Sequence, residues 1–130
     1  MKAAGSFTVK FDRVDAGYQA SEGHTLGRML FEKTFTGELD ANSTGEMLNV
    51  LTPVEGSAGY VAIEQVTGSL DGKSGSFVLQ HYGVMGKGDN MLLLEVIPDS
   101  GTGDLSGIEG KMSIDIDKGE HFYQFTYNLP

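Results

Sequence analysis

Glu64 is the residue of this sequence whose type and position most suggest chemistry. It lies within the apolar run YVAIEQV, residues 60–66, where a strand interior normally holds an apolar side chain. An isolated carboxylate is costly to bury, so an inward-facing Glu64 must be hydrogen-bonded, paired with a cation or protonated. The alternative is a structural or solvent-facing glutamate, because ion pairs often perturb carboxylates that take no part in catalysis.

His81 lies in the following run, FVLQHY, and its relation to Glu64 depends on the turn between the two runs. The intervening Asp71-Gly72 pair favours a two-residue type I′ turn, which needs positive φ at both positions. With that turn, Glu64 and His81 become diagonal neighbours on one face of a hairpin. A three-residue loop would move His81 to the other face. We predict the two-residue turn and a shared face.

The remaining motifs indicate neither a metal site nor a bound cofactor. His24, His81 and His121 lack the spacing of metal ligands, and a site would have to be assembled from distant strands. The segment GTGDLSG, residues 101–107, comes near the dinucleotide-binding fingerprint, but its third glycine is misplaced and no helix follows. No phosphate-binding loop, nucleophile elbow or calcium loop occurs.

The composition limits the class of protein and its partners. The chain has 130 residues, 18 acidic and 9 basic side chains and no cysteine, which predicts one domain, residues 1–130, without disulfides. A net charge of −9 argues against nucleic acid and anionic membranes as partners. The N-terminus has no signal-peptide core, and no stretch approaches the ~20 apolar residues of a membrane span, so we expect a cytoplasmic protein.

The elements that must position these residues are strands. Nineteen glycines separate short runs rich in Val, Ile, Phe, Tyr and Thr, many with period-two alternation, and no window shows helical periodicity over three turns. The segment 15–25 is interpreted as a loop. The predicted strands are 6–11, 28–35, 37–43, 46–52, 59–70, 74–84, 91–97, 111–116 and 121–129.

Seven to nine strands in one domain must close into a barrel or stack as a sandwich, because one open sheet would expose its edges. A second hairpin is predicted at DKGE, residues 117–120. Asp40, Asn42, Thr44 and Glu46 form an alternating polar row, either the solvent side of a strand or a polar wall of a lumen. Runs 59–66 and 91–97 are apolar on both faces, which suggests that a neighbouring subunit or a packed loop covers the outside.

Several long stretches resemble a bacterial family known only as a domain of unknown function, grouped with proteins shaped like the allene oxide cyclase barrel. The likeness covers essentially the whole chain. It is carried by TLGRMLFEKTFTGEL, GEML, GSAGYVAIEQVTGSLDGKSGSFVLQHYG and PDSGTGDLSGIEGKMSIDI. Parallels with the plant cyclases lie in TGEL, AGYVAIE, GTGDLSGIEGKMSI and the closing FYQFTY.

The resemblance implies an all-β fold, a closed antiparallel β-barrel of about eight strands, oligomeric, with a lumen able to hold a small apolar ligand. It does not imply cyclase activity. The plant enzymes place a glutamate in the first strand at the lumen, whereas residues 6–11 of this chain hold no carboxylate before Asp12.

From these observations we expect a barrel that binds a small apolar molecule and forms a homo-oligomer, a dimer or a trimer. The polar ligand-binding candidates are Glu64, His81 and Tyr127. The apolar lining is expected from among Phe7, Phe31, Phe35, Phe77, Leu79 and Phe125. One alternative is an isomerase or cyclase acting on an apolar substrate through confinement and one acid–base group. The other is a structural oligomer whose barrel is filled by its own side chains.

Overall fold

Eight antiparallel strands form a closed barrel in the computed structural model, which describes residues 1–17 and 21–130. Each strand pairs with its neighbours in sequence, and β1 pairs with β8 to close the cylinder. A single-turn 3-10 helix, Gly103–Leu105, lies between β6 and β7. The predicted all-β barrel is therefore confirmed. The strands are β1 (Lys2–Val14), β2 (Thr25–Gly37), β3 (Leu39–Leu51), β4 (Ala58–Leu70), β5 (Lys73–Gly86), β6 (Asp89–Val96), β7 (Glu109–Asp117) and β8 (Glu120–Asn128).

The predicted strands 37–43 and 46–52 were wrong as separate elements, because they form the single strand β3. Gly45 lies between them, and it pairs in register with Phe31 on one side and Glu64 on the other. A Cβ at this position would lie 2.2 Å from the ring of Phe31, so the glycine makes room for that ring. The predicted loop 15–25 includes residues 18–20, which lie outside the described residues.

Two-residue turns set the register of the hairpins. Asp71 and Gly72 have φ values of 50° and 82°, and Leu70 pairs with Lys73, as a type I′ turn requires. Lys118 and Gly119 form the equivalent turn of the β7–β8 hairpin, with φ values of 52° and 80°. Both predicted hairpins are confirmed. Since side chains alternate between the two faces of a strand, the first register places Glu64 and His81 together on the inner face.

Half of the barrel interior is filled by its own side chains. The rings of Phe77 and Phe125 stack with centroids 5.5 Å apart, and Phe125 stacks on Tyr127 at 5.3 Å. The connection between β6 and β7 folds over this end and buries Leu105 and Ile108. The other inward-facing or capping side chains of this half include Phe35, Leu39, Val66, Leu70, Leu79, Leu94 and Tyr123. This packed half lies beneath the more open half of the lumen.

The outer surface combines a polar row with an apolar patch. Asp40, Asn42, Thr44 and Glu46 are exposed, which confirms the solvent-side interpretation of that row. The outward side chains of β4 and β5 carry no charge, and several are large apolar groups left 43–52% exposed. Those groups are Val61, Ile63, Tyr82 and Val84. Within the part of the chain that the structure describes, no helix has the length and apolar content that a membrane span requires.

Candidate functional site

A buried polar cluster surrounds Glu64 in the middle of the lumen. The Glu64 side chain has no exposure to solvent, and it accepts hydrogen bonds from three inward-facing residues. Lys33 Nζ lies 3.1 Å and His81 Nε2 2.7 Å from Oε1, while the Ser43 hydroxyl donates to Oε2 at 2.6 Å. Lys33, Ser43 and His81 are themselves only 3–6% exposed. A buried carboxylate is stable here because every one of these partners donates to it.

These contacts keep Glu64 ionised. Burial alone raises the pKa of this carboxyl, but the hydrogen bond from His81, the charge of Lys33 and the Ser43 hydroxyl outweigh burial and hold the pKa below its ordinary 4.5. An ionised carboxylate only accepts hydrogen bonds, so Nε2 of His81 must carry a proton. In the neutral imidazole, Nδ1 is then the acceptor.

Tyr60 extends the cluster towards the open end of the lumen. Its hydroxyl lies 3.2 Å from Nδ1 of His81, which gives a continuous chain from phenol to imidazole to carboxylate. Burial and the negative charge of Glu64 raise the pKa of Tyr60 to about 12. Tyr60 is therefore a protonated hydrogen-bond donor at neutral pH. Its ring crosses Gly83 on β5, where a Cβ would lie 2.3 Å from the ring.

The ammonium of Lys33 lies among aromatic rings as well as beside Glu64. Its Nζ is 4.8 Å from the ring centroid of Phe7, 5.4 Å from that of Phe31 and 5.7 Å from that of Phe35. Ring faces attract a cation at these distances, and the attraction strengthens where water is excluded. Lys33 thus places a positive charge inside a chain whose net charge is −9.

A cavity of about 170 Å³ lies directly above this cluster. Its floor holds the buried residues Phe31, Lys33 and His81, and its mouth includes Phe11 and Leu92, which are 52% and 45% exposed. The mouth is at the end of the barrel that carries the turns after β3, β5 and β7, opposite the packed half. The full lining is Phe7, Val9, Phe11, Phe31, Lys33, Met47, Tyr60, His81, Leu92, Ile114 and His121.

His121 contributes a second imidazole to this cavity. It pairs with Phe7 across β1 and β8, and the two rings lie 5.1 Å apart. Tyr60 and His81 come from β4 and β5, on the opposite wall of the eight-stranded barrel. Within the described ranges 1–17 and 21–130, the structure shows no hydrogen bond from the His121 ring, so its nitrogens remain available to a ligand.

A larger open groove lies on the outside of the barrel, between Leu30 and Leu48 on one side and Val61 and Ile63 on the other. It is shallow, and among the described residues that line it the one titratable side chain, Glu46, is exposed. The lumen cavity is the better candidate site, because it combines apolar walls with converging polar groups.

The structure brings together only some of the predicted ligand-binding residues. Glu64 and His81 are in direct contact, and Phe31 lines the same cavity. Phe77, Leu79 and Tyr127 lie in the packed half and do not line it. They are 0–3% exposed and belong to the packed core of that half.

Sequence reasoning missed Lys33, Ser43, Tyr60 and His121. Lys33 carried a signal, because it alternates with Phe31 and Phe35 on an apolar face, as Glu64 does within its own run. Tyr60 shares its strand face with Glu64. His121 had no local signal, since its place at the cavity depends on barrel closure. In the part of the chain that is described, no three His, Cys, Asp or Glu side chains form a group that could hold a metal ion.

Comparisons with known proteins place this site in a family context. Residues 3–127 match the family described as "Protein of unknown function (DUF3224)". The chain belongs to this family. A crystal structure of a DUF3224 protein with unknown function from Shewanella oneidensis MR-1 is 53% identical, over 100% of this chain and 98% of that one, with a TM-score of 0.97. No curated protein matches the chain. These comparisons do not test the likeness of the DUF3224 barrel to allene oxide cyclase, which stays a prediction.

Proposed function

We propose that this DUF3224 barrel binds a small, largely apolar molecule of single-ring size that carries one hydrogen-bond-accepting group. The observation that carries the proposal is the lumen cavity, which has apolar walls and a few polar groups converging at its base and sides. Ligand sites in proteins have this character, with polar groups that orient an otherwise apolar ligand.

The volume of the cavity sets the size of the ligand. At about 170 Å³ it is close to an engineered apolar cavity of about 150 Å³ that binds benzene. One substituted ring fits this space. An extended lipid chain or a fused polycycle would need the packed half of the lumen, which Phe77, Phe125 and Tyr127 occupy.

The hydrogen-bonding groups set its chemistry. Lys33, Tyr60, His81 and His121 line the cavity. The Lys33 ammonium has N–H protons beyond the one that it gives to Glu64, and the His121 ring makes no hydrogen bond within the described ranges, so these two side chains can donate to a ligand. Glu64, the strongest acceptor nearby, is already satisfied by three donors. The complementary ligand group is therefore an acceptor such as a carbonyl oxygen, because a second donor would find no free partner at the cavity floor.

Two matched probes test this proposal. We expect 4-fluoroacetophenone, followed by fluorine NMR, to bind in the lumen more tightly than 1-ethyl-4-fluorobenzene, which has the same shape without the carbonyl. The expected difference is about three- to tenfold, since a hydrogen bond contributes roughly 0.5–1.5 kcal/mol net. Failure of both probes to bind would overturn the proposal, and equal affinities would overturn its hydrogen-bonding part.

A pair of variants locates the binding. Ile114→Phe fills the cavity and should abolish binding of both probes. Val54→Phe adds the same ring on an exposed loop outside the cavity and should leave binding unchanged. Unaltered binding in the Ile114→Phe variant would place the probes elsewhere and contradict the lumen site.

We also propose that the chain self-associates through the outer faces of β4 and β5. Large apolar side chains there are exposed to solvent. The outward-facing residues of β4 and β5 include none of the charged side chains that give the protein its net charge of −9. A second copy is the occupant that fits, because two neutral faces can meet without the like-charge repulsion that the rest of the surface would cause. A dimer or a trimer and a cytoplasmic location remain predictions.

A further inference from the structure

We propose that the lumen catalyses proton transfer at the carbon next to a carbonyl group, as in keto–enol tautomerisation or migration of a double bond through an enolate. This inference rests on the proposed binding of a small carbonyl compound. It assigns Tyr60 and His121 as the two catalytic residues, with His81 and Glu64 positioning Tyr60.

Tyr60 is built to hold a carbonyl oxygen on which negative charge develops. Its phenol stays protonated at neutral pH, and its ring is fixed over Gly83 against His81. The imidazole is in turn fixed by its 2.7 Å contact with Glu64. In the absence of a ligand the phenol donates its proton to Nδ1 of His81, and rotation of the O–H about its C–O bond redirects that proton to the ligand oxygen as negative charge develops there. A hydrogen bond to a charged oxygen is stronger than one to a neutral acceptor, so this exchange is favourable.

Lys33 adds positive charge beneath this position. Its Nζ belongs to the cavity floor, within 5.4 Å of the ring centroid of Phe31. A fixed cation and a fixed hydroxyl donor in a cavity with apolar walls stabilise an enolate oxygen better than water does, because they need no reorganisation as the charge forms.

His121 is the base. It lines the same cavity from the β1–β8 side, facing the wall that holds Tyr60. The structure shows no hydrogen bond from its ring to any described residue, in contrast to His81, whose two nitrogens are both engaged. A cavity of about 170 Å³ brings a single-ring ligand into contact with both walls at once.

The reaction is balanced without a further reagent. His121 takes the proton from the α-carbon, the C–H electron pair becomes the C=C bond of the enolate, and the oxygen receives the charge. The Tyr60 hydroxyl and Lys33 hold that oxygen without giving up a proton. The imidazolium of His121 then returns a proton to the same carbon, which gives exchange, or to a conjugated carbon, which gives isomerisation.

One probe reports binding and turnover separately. 1-(4-Fluorophenyl)propan-2-one has one ring, a carbonyl group and α-C–H bonds activated by both the carbonyl and the ring. Its fluorine signal measures the dissociation constant, and mass spectrometry in D2O measures deuterium uptake at carbon. We expect the protein to accelerate uptake above a buffer that contains the same concentration of imidazole.

The two catalytic residues are tested with matched variants. Tyr60→Phe and His121→Gln should each lower the exchange rate of the bound ketone by about 100-fold, the usual lower range for general acid–base groups. Tyr82→Phe and His24→Gln change an exposed tyrosine and an exposed histidine outside the cavity and should leave the rate unchanged. His81→Gln retains a donor to Glu64 and should lower the rate at saturating probe while the dissociation constant stays constant.

The outcomes separate this inference from the binding proposal. Binding without exchange above the imidazole control would overturn the catalytic assignment and leave the binding function intact. Exchange that survives His121→Gln would overturn the role of His121. If the fluorine signal shows no binding, both proposals fail.

Discussion

Glu64 and Lys33 depend on each other, because each neutralises the other in a place that water does not reach. Removing one member of a buried ion pair leaves an uncompensated charge, whereas replacing both is often nearly neutral. We expect Lys33→Met to reduce the free energy of unfolding by about 3–5 kcal/mol. Lys33→Met combined with Glu64→Gln should recover most of that loss. Urea unfolding monitored by circular dichroism measures both.

The exposed pair Arg28–Glu46 supplies the control for this comparison. Its atoms are 2.7 Å apart, but the side chains are 38% and 47% exposed, so water screens their attraction. Arg28→Met should cost far less stability than Lys33→Met. A double variant no more stable than Lys33→Met alone would show that the buried charge of Glu64 is not what destabilises the single variant.

The same carboxylate makes stability depend on pH. The pKa of Glu64 is lower in the folded chain than its ordinary 4.5, so below 4.5 the unfolded chain binds a proton that the folded chain does not. The free energy of unfolding should therefore fall as the pH drops from 4.5 through the folded pKa. Glu64→Gln should remove this part of the acid sensitivity. Equal slopes of stability against pH in the two proteins would contradict the account.

At the scale of the strands, the part of the site that could be predicted from the sequence is the part that lies on the β4–β5 hairpin. Asp71-Gly72 determines the β4–β5 register from local backbone preference, and that register places Glu64 and His81 on one face. The contact with Lys33 needs two further registers, β2–β3 and β3–β4, which local turn signals do not determine. The continuity of β3 across Gly45 could not be predicted for a related reason, because the partner of Gly45 on β2, Phe31, is distant in sequence.

The location of the cavity could not be predicted, since it depends on which half of the lumen is filled. Phe77, Leu79 and Tyr127 are as apolar or amphipathic as the residues that line the cavity. They lie in the packed half because the β6–β7 connection folds over that end and buries Leu105 and Ile108. Alternation along a strand predicts on which face of the sheet a side chain lies, but it does not predict how far that side chain lies from the mouth of the barrel.

Gly83 is the position on β5 that controls Tyr60. In a Gly83→Ala variant the new Cβ would lie 2.3 Å from the Tyr60 ring, so the ring must turn away from His81. The pKa of Tyr60 should then fall from about 12 towards 10 as the hydroxyl gains solvent. Alkaline titration of phenolate absorbance, with Tyr60→Phe identifying the signal, measures the change. Gly86→Ala meets only an ordinary contact at 3.7 Å and should not shift it.

If Gly83→Ala leaves the phenolate titration unchanged, the position of the Tyr60 ring does not depend on the absence of a side chain at residue 83. The raised pKa of Tyr60 also makes the free energy of unfolding depend on alkaline pH. A tyrosine whose pKa is raised in the folded state contributes stability below pH 10, and this contribution is lost as the pH rises through 12. The free energy of unfolding should therefore fall less between pH 10 and 12 in the Gly83→Ala variant than in the wild type.

At the scale of the whole molecule, charge and apolar surface are separated. The acidic residues that give the net charge of −9 avoid the outer faces of β4 and β5, where Val61, Ile63 and Tyr82 remain 47–52% exposed. Patches of this kind usually mark contact surfaces. Ile63→Asp should lower the mass measured by light scattering to that of a single chain. Phe122→Asp, on β8 across the barrel, should leave the assembly unchanged.

A wild-type protein that is a single chain at all concentrations would contradict self-association, and an assembly that survives Ile63→Asp would place its interface elsewhere. Neither result affects the lumen, since the inner and outer faces of the strands are separate surfaces. Native mass spectrometry of the same samples reports the number of chains and any small molecule retained from the cells.

The most direct test of the central claim is a crystal structure of the protein soaked with 4-bromoacetophenone, because the anomalous signal of bromine locates the ligand independently of its shape. The account predicts bromine among the apolar residues near the cavity mouth and the carbonyl oxygen within hydrogen-bond distance of Lys33, Tyr60 or His121. An empty lumen at saturating ligand, or bromine only in the outer groove between Leu48 and Val61, would contradict it.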